Sequence, residues 1–211
     1  MTDNYIITIG RQLGSGGRTI GKMLAQQLEI PCYDRELIQM ASQSSGLGKE
    51  FFEQADEKTK FHLFGNLLGW FSNPASYEGY LNNSLRNESL FQIQSDVIRN
   101  LASQHSCIFV GRCADYILRD FPHCVRVFVA ADIADRIRRL TERESISADK
   151  AKEIIERTDR QRASYYNYYS NKTWGMATSY DLCINTSLLG LDSSVDFIRS
   201  FVEKNLEITL K

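Results

Sequence analysis

Glycines concentrate in one short segment near the start of the chain, and this segment constrains the fold more than any other. Five of the chain's 13 glycines lie between Gly10 and Gly21. The apolar segment Tyr5–Ile9 precedes them, and apolar residues at helical spacing follow from Ile20 to Leu28. Glycine tolerates positive φ and lets the backbone approach an anion, so such a turn can wrap its N–H groups around a phosphate. The segment therefore predicts a strand, a phosphate-binding loop and a helix.

The loop follows the phosphate-loop pattern G-x-x-x-x-G-K-S/T only in part. With Arg18 and Thr19 on the Lys-Ser/Thr pair, Gly17 precedes them and Gln12 stands where the first glycine belongs. Arg18 would then carry positive charge to the β- and γ-phosphates, and Thr19 would offer its hydroxyl to Mg²⁺. A purely structural turn, or a loop for another anion, is the alternative. The nucleotide-binding residues predicted on this basis are Gly14, Ser15, Gly16, Gly17, Arg18 and Thr19.

Short apolar segments alternate with helical patterns along the rest of the chain, which predicts an α/β fold with a parallel sheet. The predicted strands are Tyr5–Ile9, Ile30–Tyr33, Cys107–Val110, Val125–Ala130 and Leu182–Asn185. Two stretches, 36–100 and 143–180, interrupt the alternation. The first is too long for a plain crossover and is mostly helical in pattern, so we interpret it as a helical insertion beside the core.

Composition excludes several classes of protein. The 25 basic residues nearly balance the 26 acidic ones, and a net charge of -1 removes the main electrostatic reason to expect a nucleic-acid partner. The N-terminal segment has no basic region followed by a long apolar stretch, and runs such as Val127–Ala131 are far too short to span a bilayer. The five cysteines form no C-x-x-C pair, which suits buried thiols in a reducing compartment. We expect a cytoplasmic protein without a membrane or nucleic-acid partner; its oligomeric state stays open.

The sequence resembles the cytidylate kinase-like family of P-loop nucleoside monophosphate kinases. Four motifs carry the resemblance: the loop from Gly14 to Thr19, the segment Ile30–Ile38, the Gly-Arg that ends Ile108–Arg112, and Asp159–Ala163, which is similar to the lid motif Asp-Arg-x-Arg-Ala. The segment Tyr180–Ser187 looks like the final core strand. Each motif is weak alone, and their order and spacing make the match specific.

The resemblance implies a three-layer P-loop kinase sandwich with a five-stranded parallel sheet in the order 2-3-1-4-5. It implies a single kinase domain over 1–211, with its core in 1–35, 101–142 and 179–211. The substrate-binding helical insertion would be 36–100 and the lid 143–178, which matches the two stretches that interrupt the alternation.

The resemblance also implies an enzyme that uses ATP and Mg²⁺ to phosphorylate a small nucleotide, with CMP or dCMP as the favoured acceptor. Arg112 and Arg162 would grip the acceptor, and Asp159 would contact its polar groups. Arg157 and Arg160 would move with the lid toward ATP, as catalytic residues beside Arg18. The implied substrate-binding residues are Asp34, Arg35, Arg112, Asp159 and Arg162.

Departures from the family pattern leave alternatives open. The loop lacks the lysine and the first glycine. The arginine expected seven residues after Asp34 is Ala41, and Arg35 is the nearest candidate. The charged run Arg136–Arg162 is also typical of a solvated helix with i,i+4 pairs, and Asp34 could cap a helix. Two other functions therefore stay open: a kinase of another small metabolite, and a nucleotide-binding regulatory protein with weak catalysis.

Overall fold

The computed structural model describes residues 4–34 and 77–209, with side chains from residue 88 onward in the second range. The described residues fall into two compact units: 4–34 together with 99–209, and 77–98. Most of the predicted insertion, including Arg35, lies outside the described residues. Within the described ranges, no helix combines the length and the apolarity needed to cross a bilayer.

Five parallel strands form one sheet in the order β2-β3-β1-β4-β5, which confirms the predicted architecture. The pairings of β1 with β3, β1 with β4, β2 with β3 and β4 with β5 are all parallel. The strands are β1 (Ile6–Arg11), β2 (Cys32–Tyr33), β3 (Cys107–Val110), β4 (Cys124–Ala130) and β5 (Leu182–Asn185).

Helices connect the strands as the alternation predicted. They are α1 (Gly17–Gln27), α2 (Tyr77–Gln104), α3 (Ala114–Ile117), α4 (Ile133–Glu144), α5 (Ala148–Ser170), α6 (Thr186–Leu189) and α7 (Leu191–Leu206), with a 3₁₀ turn at Ala177–Ser179. The α4–α5 hairpin, Ile133–Ser170, overlaps the segment predicted as the lid. Its two helices pack through Leu140, Ala151 and Ile155, and Leu13 of the glycine-rich loop packs against the same cluster.

Helices α1 and α7 bury their apolar faces in the main core. Ile20 and Leu24 of α1 join Val195 and Ile198 of α7 and the apolar residues of the central strands. These strands are buried on both faces, as expected for a parallel sheet between helices. This packing fixes the N-terminus of α1 at the carboxyl edge of the sheet.

The carboxyl edge is where the site is built. Arg11 at the end of β1 is in register with Val129 of β4, and Ile9 is in register with Val110 at the end of β3. The segments that follow these strands, beginning at Gln12 and Gly111, therefore meet at one edge. In open α/β sheets ligands bind at this edge.

Candidate active site at the carboxyl edge of the sheet

The loop between β1 and α1 owes its shape to two glycines with positive φ. Gly14 has φ +80° and Gly16, the N-cap of α1, has φ +86°. A Cβ atom on Gly14 would lie 2.8 Å from the carbonyl oxygen of Arg136, and one on Gly16 would lie 2.4 Å from Leu191 Cδ2. Because both the conformation and the space exclude side chains, the neighbouring helices hold the loop in one shape.

Several backbone amides of this loop have no acceptor. Gln12 N–H donates to the carbonyl of Val129 (3.1 Å), which closes the end of the strand. Among the described residues, no group accepts a hydrogen bond from the amides of Gly14, Gly16 or Gly17. The first turn of α1 also contains no acidic side chain. Open amides at a helix N-terminus, together with the helix dipole, favour a bound anion.

The carbonyl oxygens of the same loop are, in contrast, bound by side chains. Arg136 Nε donates to Leu13 O (2.8 Å), and Arg139 Nη1 donates to Gly14 O (3.3 Å). The hydroxyl of Thr186 donates to Ser15 O (2.8 Å) and accepts from Arg139 Nη1 (2.9 Å). Three consecutive carbonyls are thus satisfied by the protein, which leaves the loop's amides as its open hydrogen-bonding groups.

Two residues of the predicted lid motif contact the loop backbone. Asp159 Oδ1 accepts a hydrogen bond from Leu13 N (2.9 Å), and its Oδ2 forms an ion pair with the buried Arg136. Arg162 Nη1 donates to the carbonyl of Arg11 (3.1 Å). Both carboxylate oxygens of Asp159 are therefore occupied by the protein, so its expected contact with the acceptor stays a prediction.

Four arginines converge beside the loop: Arg11, Arg18, Arg112 and Arg162, here called the arginine cluster. Arg18 Nη2 lies 2.6 Å from Oδ2 of the buried Asp34, which directly follows β2. Burial, together with the charges of Arg162, Arg112 and Arg18, lowers the pKa of Arg11 to about 9, while Asp34 opposes the shift. Among the described residues, these four guanidinium groups outnumber the carboxylates beside them, Asp34 and the Asp159 that lies 3.8 Å from Arg162 Nη1. The excess of positive charge at this edge is typical of an anion site.

Arg112 reaches the cluster through an unusual backbone. It has φ +60° and follows Gly111, which has φ +80°. The guanidinium of Arg11 covers Gly111 so closely that a Cβ there would lie 1.8 Å from Arg11 Nη1. The hydroxyl of Tyr165 on α5 hydrogen-bonds to Arg112, and burial raises the pKa of this tyrosine, which keeps the hydroxyl protonated. The Gly-Arg motif thus lets two guanidinium groups approach each other.

The structure does not bring every predicted residue to the loop. Arg157 and Arg160 lie on the exposed side of α5, with guanidinium nitrogens 3.9 Å from Glu153 and 4.0 Å from Glu156. Thr19 is exposed on the first turn of α1. The roles expected for these three residues stay predictions.

Three residues of the site were missed by sequence reasoning: Arg11, Arg136 and Arg139. Arg136 and Arg139 lie three residues apart and share one face of α4, but the glutamates between the arginines made the whole run look solvated. Arg11 stands directly after a buried strand, at the end where ligands bind, and this position was the available signal.

A buried carboxylate also ties α5 to the segment after β3. The hydroxyl of Tyr166 donates to Asp115 Oδ2 (2.7 Å), and both residues are buried. Burial raises the pKa of Asp115, and the hydrogen bond from Tyr166 opposes this shift. Tyr166 also lies beside Tyr180, whose hydroxyl accepts from Gly175 N at 3.4 Å. This network fixes the position of α5 at Tyr166, four residues after Arg162.

Comparisons with known proteins agree with this geometry. The sequence profile of the cytidylate kinase-like family matches residues 6–188. A cytidylate kinase from Methanosphaera stadtmanae is 27% identical over 202 residues, which cover 94% of this chain and 98% of the relative. A second cytidylate kinase, from Staphylothermus marinus, is 33% identical over 84 residues, covering 39% of this chain and 47% of that relative.

Solved structures share the fold over nearly the whole chain. An uncharacterized protein from Eubacterium ventriosum has a TM-score of 0.71 and 26% identity, covering 95% of this chain and 99% of its own. The shikimate kinase from Bacteroides thetaiotaomicron has a TM-score of 0.52 and 15% identity, covering 94% of this chain and 98% of its own. Because the family profile spans all five strands, the loop and the α4–α5 hairpin, the chain belongs to the cytidylate kinase-like family.

Proposed function

We propose that this chain transfers the γ-phosphoryl group of ATP to a nucleoside monophosphate, with CMP or dCMP favoured. One observation carries the proposal: Arg18, Arg112 and Arg162 lie close to the buried Arg11, directly beside a loop in which the amides of Gly14, Gly16 and Gly17 are open. Phosphoryl transfer needs two phosphate groups held in line and cationic groups over the transferring oxygens, with little covalent help from side chains. A phosphate loop next to an excess of arginine supplies these requirements.

The loop would hold the ATP phosphates. The amides of Gly14, Gly16 and Gly17 and the N-terminus of α1 provide donors and a favourable dipole for them. Among the described residues, no cluster of three acidic, histidine or cysteine side chains forms a complete metal site. Magnesium in kinases is held by one or two side chains and the phosphates, so the exposed hydroxyl of Thr19 fits this mode, and the ion would neutralise phosphate charge.

Two members of the arginine cluster, Arg112 and Arg162, would hold the acceptor phosphate. Arg112 follows β3 and Arg162 lies on α5, and the charges of both lie close enough to Arg11 to lower its pKa. Asp34 holds Arg18 at that edge and offers a carboxylate near the acceptor. The four arginines outnumber the carboxylates of Asp34 and Asp159 beside them, so the charge balance favours an anionic acceptor.

The α4–α5 hairpin would act as a lid that excludes water during transfer. Arg157 and Arg160 stand two residues before Asp159 and Arg162, the α5 residues that contact the loop backbone. We propose that closure brings them to ATP. Replacing both with alanine should lower kcat by about 10²-fold if they stabilise transferring charge. An unchanged kcat would leave them as part of a solvated helix face.

Coupled ADP release over a panel of acceptors tests the function. The panel contains CMP, dCMP, UMP, AMP and shikimate, with MgATP alone as the control for hydrolysis. We expect ADP release that depends on CMP or dCMP and exceeds the control. Tight MgATP binding without turnover on any acceptor would instead support a regulatory nucleotide-binding protein.

A kinase of another small anionic metabolite is the second candidate. It is favoured by Ala41, which replaces an expected acceptor-phosphate arginine, and by the fold shared with proteins named shikimate kinase. Turnover of shikimate but not of CMP would support this candidate. We also propose a cytoplasmic location, because all five cysteines are free thiols and burial raises the pKa of Cys107, Cys113 and Cys124.

A further inference from the structure

Arg11 and Gly17 exchange the residue types that the phosphate-loop pattern prescribes. Gly16 has φ +86° and caps α1, which begins at the next residue. If this turn-closing glycine is the second glycine of G-x-x-x-x-G-K-S/T, Arg11 falls on the first glycine and Gly17 on the lysine. The pattern therefore has glycine and then a cation at these two positions, whereas this chain has a cation and then glycine.

The two positions share one space. A Cβ atom on Gly17 would lie 2.6 Å from Arg11 Cβ and 3.1 Å from Arg11 Cγ. These distances are too short for real carbon contacts, so the stem of Arg11 excludes a side chain at position 17. Arg11 and a lysine at position 17 therefore exclude each other, so the absence of the lysine follows from the presence of Arg11.

The guanidinium of Arg11 is placed for a ligand and not for the protein. It extends over Gly111, which follows β3, and the charges of Arg162, Arg112 and Arg18 lie close to it. Within residues 4–34 and 88–209, no side chain or carbonyl binds it by a hydrogen bond or an ion pair. A cation surrounded by like charges without an acceptor is costly, and a bound anion would relieve that cost.

We propose that Arg11 takes the place of the phosphate-loop lysine and binds the transferring phosphoryl group of a nucleoside triphosphate. The inference rests on the proposed function and replaces Arg18, which is held by Asp34, in that role. During transfer the bond from the γ-phosphorus to the β,γ-bridging oxygen breaks, and an acceptor oxygen bonds to the γ-phosphorus. Arg11 stays protonated throughout and stabilises the charge on the equatorial oxygens.

Restoring the standard arrangement tests the exchange. The variants are Arg11→Gln, Gly17→Lys, the double variant Arg11→Gly with Gly17→Lys, and Arg138→Gln as the control on the exposed side of α4. Each is measured for kcat, for binding of MgATP and inorganic tripolyphosphate by calorimetry, and for Tm without ligand. Tripolyphosphate isolates the phosphate contacts from those of the base and ribose.

Arg11→Gln should lower kcat by about 10²-fold or more and weaken tripolyphosphate binding by at least about tenfold. Its Tm without ligand should rise by about 2–4 °C, because the like-charge repulsion is relieved. Gly17→Lys alone should lower Tm through its clash with Arg11, and the double variant should regain most of the lost activity. Arg138→Gln should match the wild-type protein in every measurement.

Three outcomes would overturn the inference. In the first, Arg11→Gln binds tripolyphosphate as tightly as the wild-type protein does. In the second, Arg18→Gln loses tripolyphosphate binding while Arg11→Gln keeps it, and in the third the double variant keeps the wild-type Tm but is as inactive as Arg11→Gln. Wild-type protein that binds tripolyphosphate through Arg11 but phosphorylates no acceptor keeps the inference and overturns the proposed function. Wild-type protein that binds neither triphosphate nor tripolyphosphate overturns both.

Discussion

Two groups of arginines surround the glycine-rich loop, and they have opposite effects on the stability of the fold. Arg136 and Arg139 of α4, here called the bracing pair, donate to loop carbonyls, and Arg136 is also paired with Asp159. The arginine cluster lies beside the same loop, but there the charges of Arg162, Arg112 and Arg18 lower the pKa of the buried Arg11. Identical side chains thus stabilise the fold where the protein supplies acceptors, as it does for the bracing pair. At Arg11, to which none of the described residues supplies an acceptor, the same side chain carries a cost.

The difference explains why the loop can be rigid and still ready for a ligand. The bracing pair satisfies the carbonyls from the side of α4, so the backbone does not need substrate to hold its shape. The arginine cluster keeps positive charge at the carboxyl edge, at a cost in stability that functional sites commonly carry. Mutations in the two groups should therefore separate stability from activity.

The largest effect should come from breaking the bracing pair. Arg136→Ala leaves the carboxylate of Asp159 and the carbonyl of Leu13 without their partner in a site where the Arg136 side chain is only 7% exposed. We expect the free energy of unfolding, measured in urea, to fall by about 3–5 kcal/mol. Arg138→Ala on the same helix, where the side chain is 57% exposed, is the matched control and should change it by less than about 0.5 kcal/mol. Equal changes in the two variants would refute the distinction.

The arginine cluster should respond in activity and not in stability. We expect Arg112→Ala to lower kcat for coupled ADP release by about 10²–10³-fold, because one charge-stabilising group is lost. The free energy of unfolding should change by less than about 1 kcal/mol, since Arg112 gives the fold little beyond its hydrogen bond with Tyr165. Arg112→Lys keeps the charge without the planar fork and should lie between wild type and alanine. A variant that loses stability and activity together would place Arg112 with the bracing pair.

Asp115 sharpens the comparison with a buried charge of the opposite sign. Burial raises its pKa above 3.8, so the folded state holds the proton more tightly than the unfolded state does. Stability should therefore fall as the pH rises through 3.8 and through the raised value, and then level off. Asp115→Asn keeps an acceptor for Tyr166 without the charge, so its unfolding free energy relative to wild type should increase across the same window. Urea unfolding between pH 3 and pH 7 measures this, and parallel curves would contradict the assignment.

The smallest effect on stability should come from the exposed arginines of α5. Arg157→Gln and Arg160→Gln each remove one i,i+4 ion pair on the solvent-exposed side of the helix. Such pairs contribute about 0.3–0.5 kcal/mol, so each variant should unfold within about 0.5 kcal/mol of wild type. Thermal unfolding at low and at high salt checks this. A loss of unfolding free energy close to that of Arg136→Ala would contradict this prediction, because it would mean that these side chains stabilise the loop.

Much of the fold follows from local sequence. The alternation of β-branched segments with helical patterns predicted all five strands and their parallel order, because each element buries the face that its own periodicity marks. The positions of Gly14 and Gly16 also predicted the loop, since both adopt positive φ. The Gly-Arg motif likewise placed Arg112 at the end of β3, where the structure has it.

The assignment of cations around the loop did not follow from local sequence. Arg18 stands next to the loop glycines in sequence, yet its guanidinium contacts Asp34, which is 16 positions away and follows another strand. Arg136 lies in a run of mixed charge that looks solvated, and its burial depends on a carboxylate from the next helix. Periodicity reports which face of a helix is apolar, but it does not report which charged residue meets a partner from a distant segment.

The sequence by itself determined where the backbone turns, which segments form strands and helices, and at which edge of a parallel sheet a ligand binds, because glycine conformations and apolar periodicity act over a few residues. The tertiary structure decided which arginine serves the loop. The loop residues 12–16 separate Arg11 from Gly17 in the sequence. Only the structure shows that the side chain of Arg11 occupies the space that a side chain at position 17 would need. A sequence pattern reports residues that are near one another along the chain, whereas steric exclusion and electrostatic interaction depend on the distance between residues in space.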